Sequence, residues 1–263
     1  MKALSVVIIT YNEEKNIERC IRSVQSIADE VVVLDSFSTD NTAAIALEMG
    51  AVVIRQNFYG YISQKNRAIQ LASHDFILSL DADEAVSERL AAAILDAKQQ
   101  VGQAAYSMNR CNWYRGKFIR HGLWYPDRKL RLFDRSIGYC GGFNPHDRIE
   151  LRQPIAVKHL EGDLLHYTYH SEAEYEQRNE EVSQVAAQSL FENDKGRQWY
   201  KIWLNPAWAF LNGYVLRLGF LDGSRGWTIA VNTTKQCYRK YALLHGLYRQ
   251  QAKHKLIEKE AKS

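Results

Sequence analysis

The chain has 263 residues, of which 46% are hydrophobic and 24% are charged, and its formal net charge is +4. This composition excludes a disordered chain, and the length allows one large domain or one domain with an extension. No two cysteines form a C-x-x-C pair, which argues against a zinc knuckle or a disulfide framework and favours a reducing compartment. Residues 1–10 lack a signal-peptide layout, so we expect a cytoplasmic protein.

The first hundred residues alternate between strand and helix patterns. Leu4–Thr10 is a β-branched run typical of a strand buried on both faces, and further strands are predicted at residues 31–34, 51–55 and 76–80. A helix is expected after each strand. Asn12 is expected to be the N-cap of the first helix, and Asp40 that of the second, which ends at Gly50. The third helix is predicted at residues 63–72, and the fourth is expected to start at Ser87.

Repeated strand–helix units predict an α/β fold with a Rossmann-like, mostly parallel sheet and helices on both faces. Ligands of such sheets bind beyond the carboxyl ends of the strands. The sequence therefore directs attention to residues 10–13, 35–40 and 81–84 and to the loop after Arg55.

The pattern changes after residue 100. Short strands are predicted at residues 106–110, 129–133 and 155–159, and helices at 171–193, 199–221 and 225–255. We accordingly predict a catalytic domain at residues 1–170 and a helical extension at 171–263.

The charge is unevenly distributed. Residues 1–98 hold 9 Lys and Arg against 14 Asp and Glu, whereas the remainder holds 25 against 16. Residues 197–255 contain ten basic residues and the single acid Asp222. A basic surface attracts nucleic acid or an anionic membrane, and a merely solvated helix face is the alternative. No nucleic-acid-reading motif accompanies the charge, so a membrane surface is the expected partner.

Asp81 and Asp83 follow the fourth predicted strand with one residue between them. Both carboxylates could reach one Mg²⁺ or Mn²⁺ that also binds substrate phosphates, although acids in turns are common. Neither a P-loop nor a G-x-G-x-x-G motif is present, so a carboxylate-bound divalent cation is the expected means of holding a nucleotide diphosphate. Asp35, at the end of the second strand, is expected to accept hydrogen bonds from a base or ribose, with a capping loop as the alternative.

Three segments, LSVVIITYNEEKNIERCIRSV, VVVLDSFSTDNT and FILSLDADE, resemble the family 2 glycosyltransferases, which have a GT-A fold. The resemblance spans about residues 3–90. It implies that Asp83 binds the metal. It also implies that the nucleotide sugar is contacted by Thr10, Tyr11, Glu13, Asp35, Lys65, Asp81 and Asp83.

Later segments, including KLRLFDRSIGYCGGFNPHDRIEL and GDLLHYTY, resemble bacterial enzymes that glucosylate the lipopolysaccharide inner core, the β-1,4-glucosyltransferases. Those relatives usually read His-Glu where this chain has His146-Asp147. Asp147 is the candidate base for inverting transfer, and an ion pair with Arg148 or Arg131 is the alternative. The resemblance suggests His166 as a metal ligand, with a structural histidine as the alternative.

The acceptor is expected to contact His146, Trp124, Tyr125 and Arg131. Core packing is the alternative for the aromatic residues, and solvated charge is the alternative for the arginine.

The resemblance thus implies transfer of glucose from UDP-glucose to a heptose of a lipid-linked acceptor, at the inner face of the inner membrane. A polyprenyl-phosphate glycosyltransferase is one alternative, and a non-catalytic nucleotide-sugar-binding membrane adaptor is another. Basic and aromatic residues at 199–255 are expected to dock on the membrane.

Overall fold

The computed structural model describes residues 1–143, 146–168, 172–194 and 198–260. The chain divides into two compact units. The first unit consists of Met1–Trp113 and Pro126–Thr168, and the second of Tyr114–Tyr125 and Tyr169–Ser263. The sequence placed residues 114–125 in its first domain, whereas the structure groups them with the C-terminal helices.

The strands of the described residues are β1 (Leu4–Thr10), β2 (Glu30–Asp35), β3 (Val52–Arg55), β4 (Phe76–Asp81), β5 (Glu84–Val86), β6 (Ala105–Tyr114), β7 (Lys117–Phe118), β8 (Asp127–Asp134), β9 (Gly138–Phe143), β10 (His146–Leu151) and β11 (Val157–His166). The α-helices are α1 (Ile17–Val24), α2 (Thr42–Glu48), α3 (Tyr61–Leu71), α4 (Glu88–Lys98), α5 (Glu172–Glu192), α6 (Lys201–Phe210) and α7 (Ser224–Glu260).

The sheet of the first unit has the order β3-β2-β1-β4-β8-β6-β11-β5. Strands β1 to β4 are mutually parallel, and β6 and β11 run in the same direction, whereas β8 and β5 are antiparallel to their neighbours. This arrangement confirms the predicted α/β, mostly parallel sheet. The carboxyl ends of six strands therefore meet at one edge, as the sequence-based argument required.

The β-branched runs form buried strands because each face of the sheet is covered. In β1, Leu4, Val6 and Ile8 pack into the cluster that contains residues of α1 and α4. Val7 faces the other side and packs with Ile69 of α3. Because successive side chains alternate between faces, a strand covered on both sides has no polar face, and its sequence is continuously apolar.

Two predicted helix starts are corrected. Asn12 does not cap the first helix, since it has a left-handed φ of 54° and α1 begins only at Ile17. Asn41, rather than Asp40, occupies the N-cap position of α2. The Asp40 carboxylate nevertheless accepts the Thr42 backbone N–H at 3.0 Å and thereby satisfies a free donor of the first turn. Ser87 caps α4 as predicted, accepting the Leu90 N–H at 3.3 Å.

The second unit is built from helices and a tight hairpin. A π-helical turn, Leu211–Leu216, follows α6, and a 3₁₀ turn, Gly219–Asp222, precedes α7. Glycines let the backbone segments approach closely here, because a Cβ on Gly226 would lie 1.8 Å from the carbonyl oxygen of Gly219. Among the described residues, no helix combines the length and apolarity that a membrane crossing needs.

Candidate functional site

The predicted site residues meet at the carboxyl edge of the first unit's sheet. Backbone register pairs Thr10 with Asp35, and Ile9 with Asp81. On the far side of the sheet, His166 pairs with both Asn112 and Glu84. The edge is therefore continuous, and the hydrogen-bonding register of the strands fixes the backbone positions of its polar residues.

A cluster of buried charges lies at the end of β4. The Lys65 ammonium group is 2.8 Å from Asp81 Oδ1 and 2.8 Å from Asp147 Oδ2. The Arg131 guanidinium is 2.7 Å from Asp81 Oδ2 and 2.9 Å from Glu84 Oε1. Lys65 thus joins two acids that are far apart in sequence. Among the described residues, Asp147 pairs with Lys65 and not with Arg148 or Arg131, the partners of the alternative interpretation.

These contacts shift the acid–base equilibria of the cluster. Burial alone would raise the pKa of Asp81, but the Lys65 ammonium and the Arg131 guanidinium hold it well below its usual range. Burial alone would lower the pKa of Lys65, and the Asp81 and Asp147 carboxylates raise it instead. Asp81 is accordingly an anion, and Lys65 a cation, at neutral pH.

Local packing brings Lys65 to Asp147. The neighbouring Asn66 donates from Nδ2 to the Cys140 carbonyl at 2.8 Å and accepts the Cys140 N–H at 2.9 Å. These bonds attach α3 to β9, which is paired with β10, where Asp147 lies opposite Gly142. Asn66 is a site-supporting residue that sequence reasoning missed, because nothing in a helix sequence marks a bond to a distant backbone.

A second polar cluster contains Asp83 and His166. His166 Nε2 is 3.2 Å from Asp83 Oδ2, while its Nδ1 is 2.6 Å from both Asn112 Oδ1 and Thr168 Oγ1. The Tyr167 N–H donates to the Asp83 carbonyl at 2.9 Å, so backbone contacts also hold the pair. Asn112 was not predicted, since a polar residue inside a strand carries no distinctive signal.

The Asp83–His166 pair fits a divalent cation. Ligand atoms at about 2.1 Å from an octahedral ion and at right angles to one another lie about 3 Å apart, close to the observed separation. Carboxylate oxygen and imidazole nitrogen suit Mn²⁺, and carboxylate oxygen suits Mg²⁺. Among the described residues, no group of three or more His, Cys, Asp and Glu side chains could hold a metal.

The loops after β1 and β2 form the other half of the edge. Asp35 is fully buried and accepts the Ser38 N–H at 3.0 Å, with Arg55 Nε at 3.6 Å. The buried Thr10 hydroxyl has no hydrogen-bond partner among the described residues. An unpartnered buried hydroxyl beside a carboxylate is suited to a polar ligand.

Tyr11 and Glu13 differ in their surroundings at this edge. Tyr11 is 57% exposed, as expected of a residue that contacts a ligand from a loop. The Glu13 carboxylate accepts a hydrogen bond from Asn16 Nδ2 at 2.7 Å. Glu13 therefore stabilises the start of α1, in addition to the nucleotide contact that the resemblance implies.

The predicted acceptor residues are divided between the two units. Arg131 is 7% exposed and paired with two carboxylates, a position that departs from the expected acceptor contact. Trp124 belongs to the second unit, where its ring packs 5.7 Å from Tyr114 and 5.4 Å from Tyr175. This is the core-packing alternative. Tyr125 is half-buried in the same unit, and the His146 side chain lies outside the described residues.

Comparisons with known proteins identify a family. Residues 5–150 match the family model described as Glycosyl transferase family 2. An uncharacterized glycosyltransferase of Rickettsia typhi is 30% identical over 242 residues, covering 88% of this chain and 82% of that protein. The lipopolysaccharide core biosynthesis glycosyltransferase LpsC of Rhizobium meliloti is 28% identical and covers 91% and 93%, respectively. A crystal structure of S. aureus TarS superposes over 95% of this chain with a TM-score of 0.47 and 17% identity.

Proposed function

Because this chain belongs to glycosyl transferase family 2 and is a glycosyltransferase, we propose that it transfers glucose from UDP-glucose to a heptose hydroxyl of the lipopolysaccharide inner core. The similarity to a lipopolysaccharide core enzyme supports the acceptor class. The observation that carries the proposal is the bridge through which Lys65 joins Asp81 to Asp147. It brings an acid of the donor motif and an acid of the acceptor motif into one cluster.

The donor is proposed to bind along the ends of β1 and β2. The buried, unpartnered Thr10 hydroxyl, Tyr11 and Glu13 would contact the uracil or ribose, and Asp35 the base. Lys65 and Asp81 would lie beside the ribose and donor sugar. The buried position of Asp35 supports the assignment of this residue to the base. The Ser38 N–H already fixes the carboxylate, so its remaining lone pairs can accept a hydrogen bond from one direction only.

Asp83 and His166 are proposed to hold Mg²⁺ or Mn²⁺. When bound, the cation would neutralise negative charge on the diphosphate. Asn112 and Thr168 would orient the His166 ring through Nδ1, which leaves Nε2 on the side of Asp83. The chain's own contribution is thus a fixed ligand pair with its supporting hydrogen bonds.

Asp147 is proposed as the general base. As the acceptor oxygen bonds to the anomeric carbon, the bond to the diphosphate breaks and its electron pair leaves with the diphosphate, while Asp147 takes the hydroxyl proton. Lys65 holds Oδ2, so Oδ1 is the oxygen offered to the acceptor. The Lys65 ammonium group thereby fixes the orientation of the Asp147 carboxylate.

Two alternatives make different predictions. A polyprenyl-phosphate acceptor is already an anion and needs no base, so Asp147→Asn would remain active with it. A non-catalytic adaptor would bind UDP without turnover. The fixed pairing of Asp83 with His166, which an adaptor would not need, favours catalysis.

The test is UDP release from UDP-glucose with Mn²⁺ and purified inner-core lipopolysaccharide. Wild type should release UDP only with acceptor present, and Asp83→Ala and Asp147→Asn should each lose about 10²-fold or more. Asp75→Asn is the matched control, because its exposed carboxylate pairs with Arg135 on the surface. Turnover with polyprenyl phosphate alone, or equal activity of Asp147→Asn and wild type, would overturn the acceptor or base assignment.

The lipid-linked acceptor also leads us to propose a peripheral location on the inner face of the inner membrane. The basic and aromatic residues of the second unit support membrane association, since cations near the surface contribute about 1 kcal/mol each toward anionic lipid.

A further inference from the structure

Helix α6 and the turn after it expose apolar side chains to an unusual extent. Between residues 199 and 221, eleven large apolar side chains are at least 44% exposed. We define the α6 surface as Trp203, Leu204, Trp208, Leu211, Val215 and Leu216, whose exposed fractions lie between 44% and 64%. Scattered exposed apolar residues are normal, but a concentration of this kind marks an interaction surface.

The α6 surface follows helical spacing. Leu204, Trp208, Leu211 and Val215 recur every three to four residues along one side of the helix and the π-helical turn, and Trp203 and Leu216 are their sequence neighbours at the two ends. The other side is also apolar: Pro206 and Gly213 are buried, and the half-buried Phe210 ring lies 5.5 Å from Trp227 of α7. A helix that is apolar on two sides needs apolar surroundings on both, and the described residues supply them on only one.

The charges of residues 198–253 indicate which kind of surface covers the exposed side of α6. Asp222, the only acid within residues 198–253, is 4% exposed and accepts the backbone N–H groups of Arg120 at 3.2 Å and His121 at 2.9 Å. No exposed carboxylate therefore lies in that described stretch, whereas the cations Arg217 and Lys235 are exposed. An apolar face within a stretch whose exposed charges are all cationic complements anionic lipid.

We propose that the α6 surface inserts into the headgroup–acyl boundary of an anionic membrane, with α6 lying parallel to the membrane plane. A ten-residue helix rises about 15 Å, half the thickness of the hydrocarbon core, and tryptophan favours this boundary. This inference rests on the proposed function in one respect, the lipid-linked acceptor. Apolar insertion, rather than attraction of the basic residues alone, is the dominant contribution to binding.

The test is flotation of the full chain with vesicles of phosphatidylethanolamine and phosphatidylglycerol, without donor or acceptor. Wild type should stay bound when salt is raised from about 0.1 M to about 1 M, where screening shortens the Debye length from ~10 Å to ~3 Å. The double variant Trp203→Ala, Trp208→Ala should bind at least about tenfold more weakly at high salt, or about 1.4 kcal/mol. The matched control removes two exposed aromatic rings of the first unit, Phe58→Ala and Tyr59→Ala, and should bind like wild type.

Insertion depth gives a second readout that does not depend on truncating the surface. Acyl-brominated lipids should quench wild-type fluorescence, and the quenching should fall in Trp203→Phe, Trp208→Phe but persist in Trp113→Phe, Trp124→Phe. Wild-type binding lost completely at high salt would overturn the inference. So would a vesicle-free dimer that the alanine variant abolishes, because a second copy would then cover the surface.

The failure of this inference is distinguishable from that of the proposed function. Vesicle binding without transfer to any lipopolysaccharide acceptor would overturn the proposed function alone. Transfer to a delipidated core oligosaccharide, with no wild-type vesicle binding, would overturn the inserted surface alone. The alanine variant should retain wild-type transfer to the delipidated acceptor.

Discussion

Replacing Lys65 with methionine removes the ammonium group that joins Asp81 to Asp147 and keeps most of the side-chain volume. Lys65 is 3% exposed and lies 2.8 Å from each carboxylate. Breaking a buried ion pair from one side typically costs about 3–5 kcal/mol. The Asp81 and Asp147 side chains are 26% and 14% exposed, so water compensates part of the loss. We therefore expect the free energy of unfolding to fall by about 3 kcal/mol.

The stability difference should depend on pH in a defined way. The depressed pKa of Asp81 contributes stability that is fully present above the unfolded-state value of about 3.9 and is lost as the pH falls through the folded value. The raised pKa of Lys65 contributes stability that is present below the unfolded value of about 10.4 and is lost above it. The difference in unfolding free energy between wild type and Lys65→Met should thus be constant between about pH 5 and pH 9, and it should become smaller at lower and at higher pH.

Lys98→Met is the matched control. Lys98 is also buried, pairs with Asp29 at 2.6 Å and donates to the Ile27 carbonyl at 2.7 Å, within the same unit. Urea unfolding should show a loss of stability in both variants, whereas kcat should fall about 10²-fold only in Lys65→Met. Equal kcat values in the two folded variants, or an unchanged urea midpoint for Lys65→Met, would refute the reasoning.

Two further predictions follow from the supporting contacts. Asn112→Leu removes a hydrogen bond to His166 Nδ1 and should raise the Mn²⁺ concentration for half-maximal activity roughly 10–100-fold; an unchanged metal titration would contradict this role. Gly226→Ala places a Cβ 1.8 Å from the Gly219 carbonyl oxygen and should lower the free energy of unfolding by at least about 2 kcal/mol, measured by urea unfolding. Gly246→Ala on the same helix meets nothing within 4 Å and should gain up to about 1 kcal/mol; equal midpoints for the two variants would contradict the crowding argument.

The sheet could be predicted because its signals are local. A β-branched run such as that of β1 is typical of a strand covered on both faces. When such strands are parallel, their carboxyl ends lie at the same edge of the sheet. Thr10, Asp35 and Asp81 could therefore be assigned to one edge without knowledge of any contact. The same reasoning predicted β6, β8 and β11 to be shorter than they are, because polar residues interrupt the apolar pattern of each strand.

The contacts between side chains could not be predicted in this way. Lys65 reaches Asp147 only because Asn66 attaches α3 to β9, and no sequence pattern specifies that packing. The sequence predicts an acceptor contact for Arg131, with a solvated charge as the alternative, and does not indicate that Asp81 and Glu84 together compensate its burial. Such pairings depend on sequence-distant residues, so a single sequence contains each partner without indicating which partners meet.

The helix caps show a related limit. Asn12 has the composition of an N-cap, yet its N–H donates to Ser38 Oγ at 2.9 Å and its Oδ1 accepts the Thr39 N–H at 2.8 Å. Local propensity favours a cap at such a residue, and tertiary hydrogen bonds between two loops override it. The predicted N-cap is consequently four residues too early, since Asn16 occupies the N-cap position of α1.

The bonds between these loops also have a thermodynamic consequence. Besides the Asn12 contacts, the Glu13 N–H donates to Thr42 Oγ1 at 2.7 Å, and the Asn41 N–H donates to Glu14 Oε2 at 3.2 Å. The two loops therefore hold each other before any nucleotide arrives. A ligand that binds to loops already ordered loses little conformational entropy from the protein, so more of its contact energy remains as affinity. The proposed nucleotide end of the site would thereby be a rigid receptor.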